Sequence, residues 1–188
     1  MNVPNTLTLM RIVLIPVLVL IFYWPFPHHQ IAAAVLFAIA SITDWLDGYL
    51  ARKLGQMTSF GAFLDPVADK LMVSVALVLL VEQQQHLIFT LAALVIIGRE
   101  IVISALREWM AELGQRTSIT VSYLAKVKTF VQMVAITCLL AISPEISAEW
   151  FVGFSYLLLY LAAGLTLWSM VIYVSAAIKV LQKNRNIV

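Results

Sequence analysis

The sequence predicts an all-α, polytopic integral membrane protein, a bundle of six transmembrane helices with a polar cavity open to the cytoplasmic side. Three observations carry that expectation. Of the 188 residues, 62% are hydrophobic and only 12% charged, against roughly 25% charged in a soluble domain. The apolar residues come in long runs rather than amphipathic stripes, and a bilayer crossing needs about 20 of them. Lysine and arginine flank the runs on one side only, which fixes an orientation.

Each element follows from the order of residues. The first run, Leu7–Phe26, follows the start MNVPNTLTLMR, which holds one positive charge. Its length and the five runs behind it make it a retained helix rather than a cleaved leader. The second run, Ile31–Leu50, has apolar residues only from Ile31 to Ile42 before Asp44 interrupts, too few to cross. Its helix must therefore continue through Asp44 and Asp47 to about Arg52. The third run is Phe60–Val81, with Pro66 suited to the early turns of a helix. The fourth, fifth and sixth are Leu87–Leu106, Ile119–Ile142 and Trp150–Val174. The breaks are short, so residues 1–188 are expected to form one membrane domain. No stretch shows the apolar–polar alternation of a barrel strand. Cys138, the only cysteine, sits within a run, which excludes a disulfide framework and leaves a packing role.

The breaks Pro27–Gln30, Glu82–His86 and Ser143–Glu149 hold none of the twelve lysines and arginines. Arg52, Lys53, Arg107, Arg116, Lys179, Lys183 and Arg185 all fall on the opposite side. Positive charge marks the cytoplasmic face, so both termini are expected there. His28, His29 and His86 read as interfacial loop residues rather than metal ligands.

Charges inside the runs are the unusual feature. On a helix, Asp44, Asp47, Gly48, Ala51 and Arg52 share one face, as do Gly61, Asp65 and Asp69. At about 1.5 Å per residue from the cytoplasmic ends, Asp44 lies roughly 12 Å deep and Asp47 roughly 7 Å. On the same scale Asp65 lies roughly 7 Å deep and Asp69 roughly 13 Å. Antiparallel neighbours joined by a short loop would set Asp44 opposite Asp69 and Asp47 opposite Asp65. One aspartate at the bilayer centre costs about 2.5–3.5 kcal/mol; four together must be protonated or bind divalent cations. Carboxylate donors suit Mg²⁺ or Mn²⁺, whose open positions take water or phosphate. The lack of nearby cysteine and histidine argues against zinc. Gly48, Ala51, Gly61, Ala62 and Ala68 fit either tight helix packing or room for a ligand.

Basic residues lie at similar depth. Arg99 is roughly 10 Å from the cytoplasmic end of the fourth run, with Arg107 near the same face at the edge and Lys126 and Lys128 entering the fifth. Each is either an ion-pair partner or a phosphate ligand. Glu100 and Glu108 are available for pairing, but as sequence neighbours of Arg99 and Arg107 they are expected to face away from them. Cations held on aspartates, with Arg and Lys around them, suit phosphorylated substrates.

The stretch from Asp44 to Asp69 also fits D-x2-D-G-x2-A-R-x8-G-x3-D-x3-D, with Asp44, Asp47, Gly48, Ala51, Arg52, Gly61, Asp65 and Asp69 at the fixed positions. It resembles the signature of the CDP-alcohol phosphotransferase family. The opening NVPNTLTLMR, the segment from Gly98 to Gly114, and AKVKT from Ala125 to Thr129 are similar to bacterial members whose acceptor is glycerol 3-phosphate. The resemblance implies transfer of a phosphatidyl group from CDP-diacylglycerol to sn-glycerol 3-phosphate, with release of CMP. It also implies two divalent cations (Mg²⁺ or Mn²⁺), membrane lipids as surroundings, a homodimer in the bacterial inner membrane, and no nucleic-acid partner. Asp44, Asp47 and Asp65 would be metal ligands, and Asp69 a ligand and the catalytic base. Asn5, Thr8, Gly48, Arg52, Thr58 and Gly61 would contact CDP-diacylglycerol, leaving Arg99, Arg107, Lys126 and Lys128 for the acceptor phosphate.

Two other classes also place acids in a membrane. An ion-coupled transporter would carry them near the midplane between repeated halves, whereas this chain has no repeat and its acids lie toward one face. A metal-binding scaffold would not need a complete signature including Asp69. A different acceptor (inositol phosphate, serine or phosphatidylglycerol) is the alternative within the family.

Overall fold

In the computed structural model the chain forms six α-helices and, among the described residues, no strand. They are α1 Val3–Tyr23, α2 His29–Leu54, α3 Ser59–Gln84, α4 Leu87–Glu112, α5 Tyr123–Leu140 and α6 Glu149–Arg185. The structure describes residues 3–54, 59–112, 123–143 and 147–185, with side chains for 8–44, 61, 64–112, 127–143, 147–175 and 177–178.

Helix ends depart from the apolar runs for local reasons. α1 stops at Tyr23, short of Phe26, because Pro25 offers no N–H and restricts the residue before it. Gln85 takes a positive φ of 46°, a left-handed cap that ends α3 and lets α4 begin two residues later. α4 and α6 outrun their apolar segments, to Glu112 and Arg185, because Arg, Glu, Met, Ala, Lys and Gln sustain a helix as well as leucine does. α5 ends at Leu140, before Ile142; residues 119–122, where it was expected to start, lie outside the described residues.

Among the described residues, two helices are apolar and long enough to cross a membrane by composition alone, Leu87–Glu112 and Glu149–Ser175, with mean hydropathies of 2.2 and 2.0. Shorter apolar stretches among the described side chains are Thr8–Tyr23, His29–Asp44 and Val127–Leu140.

α1 packs against both α2 and α3, and so does α5. α1 carries a hydroxyl and a guanidinium that bond to acids on each side. The apolar core gathers around Leu18, Phe37, Leu77, Phe89, Ile136 and Leu159, all without exposed surface. Buried Ala33, Ala40, Ala76, Ala93, Ala135 and Ala162 allow close helix approach. Outward faces carry Leu20, Val35, Val78, Leu94, Leu157 and Val171 more than half exposed, the inverse of a soluble surface. Ser41, Thr43, Thr137, Ser155 and Thr166 each donate their hydroxyl to the carbonyl four residues earlier, which satisfies a polar group where no water need be present.

Candidate active site

The acids meet on α1. Thr8 and Arg11 lie three residues apart, on one face of that helix, and both are buried, at 0% and 2% exposure. Thr8 Oγ1 donates to Asp65 Oδ1 on α3. Arg11 Nη1 lies 2.8 Å from Asp44 Oδ1 on α2 and donates to Asp69 Oδ1 on α3. One nitrogen therefore holds two of the four signature aspartates, and the expected opposition of Asp44 and Asp69 is met. Both carboxylates keep 34% of their side-chain surface exposed, while Arg11 keeps 3%. A small cavity opens against the pair, lined by Arg11, Ser41, Asp44, Asp69, Met72 and Met133.

Among the described residues no three His, Cys, Asp or Glu side chains come close enough to form a metal-binding group. The side chains of Asp47, Gly48, Arg52, Asn5 and Lys126, and the whole of Thr58, lie outside what the structure describes. Gly61 is buried at the start of α3.

A second polar cluster joins α4, α5 and α6. Lys128 Nζ lies 2.5 Å from Glu100 Oε1, and Arg99 Nη1 lies 3.0 Å from the same oxygen. The expectation that Glu100 faces away from Arg99 is therefore corrected. Both side chains are long enough to bend toward the gap between helices, where buried Lys128 draws the carboxylate. Arg99 also donates through Nη2 to Ser169 Oγ at 3.1 Å. Its Cζ stands 5.7 Å from the centre of the Tyr173 ring, and that of Arg107 stands 5.6 Å from the same ring, both within cation–π range. Arg107 is exposed, unlike Arg99 and Lys128. The Nε of Arg99 and the Oε1 of buried Gln132, one turn from Lys128, have no hydrogen-bond partner. Lys70, next to Asp69, donates to Ser104 on α4 and so ties the acidic helix α3 to the helix bearing Arg99, Glu100 and Arg107.

The structure thus brings Asp44 and Asp69 together on Arg11, ties Asp65 to Thr8 one turn away, and gathers Arg99, Arg107 and Lys128 around Glu100 and Tyr173. Sequence reasoning missed Arg11, Ser169, Tyr173 and Gln132. Arg11 had a readable signal: a lone arginine inside an apolar run demands an anionic partner, and its three-residue spacing from Thr8 points both side chains the same way. Ser169 and Tyr173 had none, since their role depends on how α6 packs on α4.

Comparison with known proteins gives a consistent picture. A family model described as CDP-alcohol phosphatidyltransferase matches residues 1–180. A Pseudomonas fluorescens protein named CDP-diacylglycerol–glycerol-3-phosphate 3-phosphatidyltransferase is 56% identical over 178 residues, covering 94% of this chain and 90% of its own. Proteins of the same name from Shigella flexneri serotype 5b and Escherichia coli strain K12 are each 54% identical over 176 residues, covering 94% of both chains.

Proposed function

The chain belongs to the CDP-alcohol phosphatidyltransferase family, and from that premise we propose that it transfers the phosphatidyl group of CDP-diacylglycerol to sn-glycerol 3-phosphate, releasing CMP. The observation that carries the acceptor is identity above one half, over nearly the full length, to relatives whose name states it. The product is the phosphorylated precursor of an anionic phospholipid.

The acidic cluster fits a divalent cation. Asp44 and Asp69 aim one oxygen each at a common point that already accommodates positive charge, both remain a third exposed to a cavity, and oxygen donors match a hard ion. Asp44, Asp47, Asp65 and Asp69 would hold two such ions, Mg²⁺ or Mn²⁺. When bound, they neutralise the diphosphate and the departing CMP. Thr8 fixes Asp65 through its hydroxyl, and so serves the donor site by orienting a ligand. Asn5, Gly48, Arg52, Thr58 and Gly61 would contact the CDP headgroup. Asp69 takes the proton of the glycerol hydroxyl as its oxygen attacks the phosphorus attached to diacylglycerol. The bond from that phosphorus to the CMP oxygen breaks. A base in hydrogen-bond reach of the nucleophile contributes about 10²–10⁴-fold.

The basic cluster supplies the acceptor site, with a division of labour. Arg99 and Lys128 are buried and bound to Glu100, which positions them. Arg107, exposed against Tyr173, and Lys126 grip the phosphate. The six helices each cross the bilayer of a bacterial inner membrane, with both termini and this cavity on the cytoplasmic side, and the chain works as a homodimer. Acyl chains remain among the outward apolar faces while the headgroups enter from water.

The direct test is CMP release from CDP-diacylglycerol by purified protein, with glycerol 3-phosphate, inositol phosphate, serine and phosphatidylglycerol supplied singly. Release that needs glycerol 3-phosphate, stops in excess chelator and returns with Mg²⁺ or Mn²⁺ supports the reading. Turnover in excess chelator would end the cation assignment, and turnover with another acceptor would end the substrate assignment.

A further inference from the structure

We propose that Arg11 limits the metal affinity of the acidic site by competing with divalent cations for Asp44 and Asp69, so that tight cation binding waits for the nucleotide donor. The inference rests on the cation reading above and adds a residue outside the aspartate signature. Arg11 Nη1 lies 2.8 Å from Asp44 Oδ1 and donates to Asp69 Oδ1. Arg11 is on the protein side of the pair, at 3% side-chain exposure, and the two carboxylates are on the cavity side at 34%. A dication taking oxygens from Asp44 and Asp69 therefore meets a guanidinium already bound to the same two carboxylates.

That charge cannot be shed, because a guanidinium stays protonated at any pH the protein meets. Nor is it easily withdrawn. Arg11 lies in the middle of α1, whose Leu18 and Phe22 are packed in the apolar core. One turn earlier Thr8 is tied to Asp65, and α1 packs on both α2 and α3. A bound dication thus either repels Arg11 at short range in a setting of low dielectric or takes its hydrogen-bond partners away. Both effects weaken binding of the ion by itself. The diphosphate of CDP-diacylglycerol brings negative charge to the same place and offsets them. Cation and donor should therefore bind with mutual reinforcement, each raising the affinity for the other by one factor.

The experiment is Mn²⁺ binding to the full-length protein in lipid nanodiscs, read from the spin-resonance signal of free Mn²⁺. It uses wild type, Arg11→Gln, Arg11→Lys and Asp65→Asn, each with and without CDP-diacylglycerol in the disc. Without donor, Arg11→Gln is expected to bind Mn²⁺ at least about tenfold more tightly than wild type, a change of about 1.4 kcal/mol. With donor that advantage should shrink to threefold or less. Arg11→Lys, which keeps the charge but not the fork, should stay close to wild type in both conditions. A purely structural arginine would give the opposite pattern, with Mn²⁺ binding weakened in both variants. Unchanged or weaker binding in Arg11→Gln overturns the inference. Should Arg11→Gln fail to fold, Arg11→Met removes the same charge at a lower insertion penalty and carries the same expectation. Wild-type binding that is lost in Asp65→Asn keeps the cation reading standing even when the Arg11 inference fails. No Asp65-dependent binding in any condition overturns both.

Discussion

Arg107 and Lys128 make the sharpest comparison, because the structure assigns two arms of one cationic cluster different surroundings. Arg107 is exposed and leans on Tyr173 at 5.6 Å, so Arg107→Ala removes at most an exposed cation–π contact, about 0.5–1 kcal/mol, from the stability of the fold. A guanidinium donating to a phosphate is worth about 1.5–3 kcal/mol. At 1.4 kcal/mol per decade, that becomes a rise of roughly 10- to 150-fold in the apparent KM for glycerol 3-phosphate. Lys128 is 3% exposed and 2.5 Å from Glu100. Lys128→Met leaves Glu100 only Arg99, and breaking a buried pair costs about 3–5 kcal/mol. The cost here should fall below that range, since Glu100 is 23% exposed and retains one cation. Lys128→Met should thus unfold at a visibly lower temperature, with kcat and both KM values altered together. The assay is steady-state CMP release against glycerol 3-phosphate at saturating CDP-diacylglycerol, then the reverse, with thermal unfolding alongside. Equal rises in both KM values for Arg107→Ala, or a lowered unfolding temperature for it, would refute the division between gripping and positioning.

Other consequences are as direct. Asp69→Asn keeps an oxygen for Arg11 and for a cation but cannot take a proton at neutral pH, so turnover should fall about 10²-fold or more while Mn²⁺ and CDP-diacylglycerol binding persist. Turnover near the wild-type rate would move the base elsewhere. Thr8→Val deletes the hydroxyl on Asp65 at nearly constant volume, and the lost bond to a charged group, about 1.5–3 kcal/mol, should appear as weaker Mn²⁺ binding in titration. Single cysteines in a Cys138→Ser background should react with an impermeant thiol reagent from the periplasmic side at positions 28, 86 and 147, and from the cytoplasmic side at 112 and 183. A reversed pattern would invert the assigned orientation.

The sequence made the acids legible because their spacing needs only the helical repeat. Asp44, Asp65 and Asp69 fall at four-residue or near-helical intervals about a short loop, and burial makes charge in such a run conspicuous. What the repeat could not give was that residues of α1 bind acids on both α2 and α3. Thr8 and Arg11 reach acids 33 to 58 positions along the chain, a long-range pairing that no local pattern records. The reading of Glu100 failed for a related reason. Helix-face arguments place Cβ atoms, but a glutamate and an arginine reach several ångströms further, and the third partner, Lys128 on α5, decides where they bend.

The two polar clusters answer the same physical demand in opposite sign. A chain that folds among apolar faces cannot leave aspartates or arginines without counter-ions, because an uncompensated buried charge destabilises far more than a matched pair stabilises. Arg11 meets that demand for Asp44 and Asp69, and Glu100 meets it for Arg99 and Lys128. Each internal partner has the sign of the ligand its cluster is proposed to bind, positive where cations are expected and negative where phosphate is. Substitutions at Arg11 and Glu100 therefore act on folding and on ligand affinity together, in opposite directions. Removing the partner loosens the fold and frees the site. Stability has to be measured with every binding constant at these two positions, because a loosened fold would mask the tighter binding of a freed site.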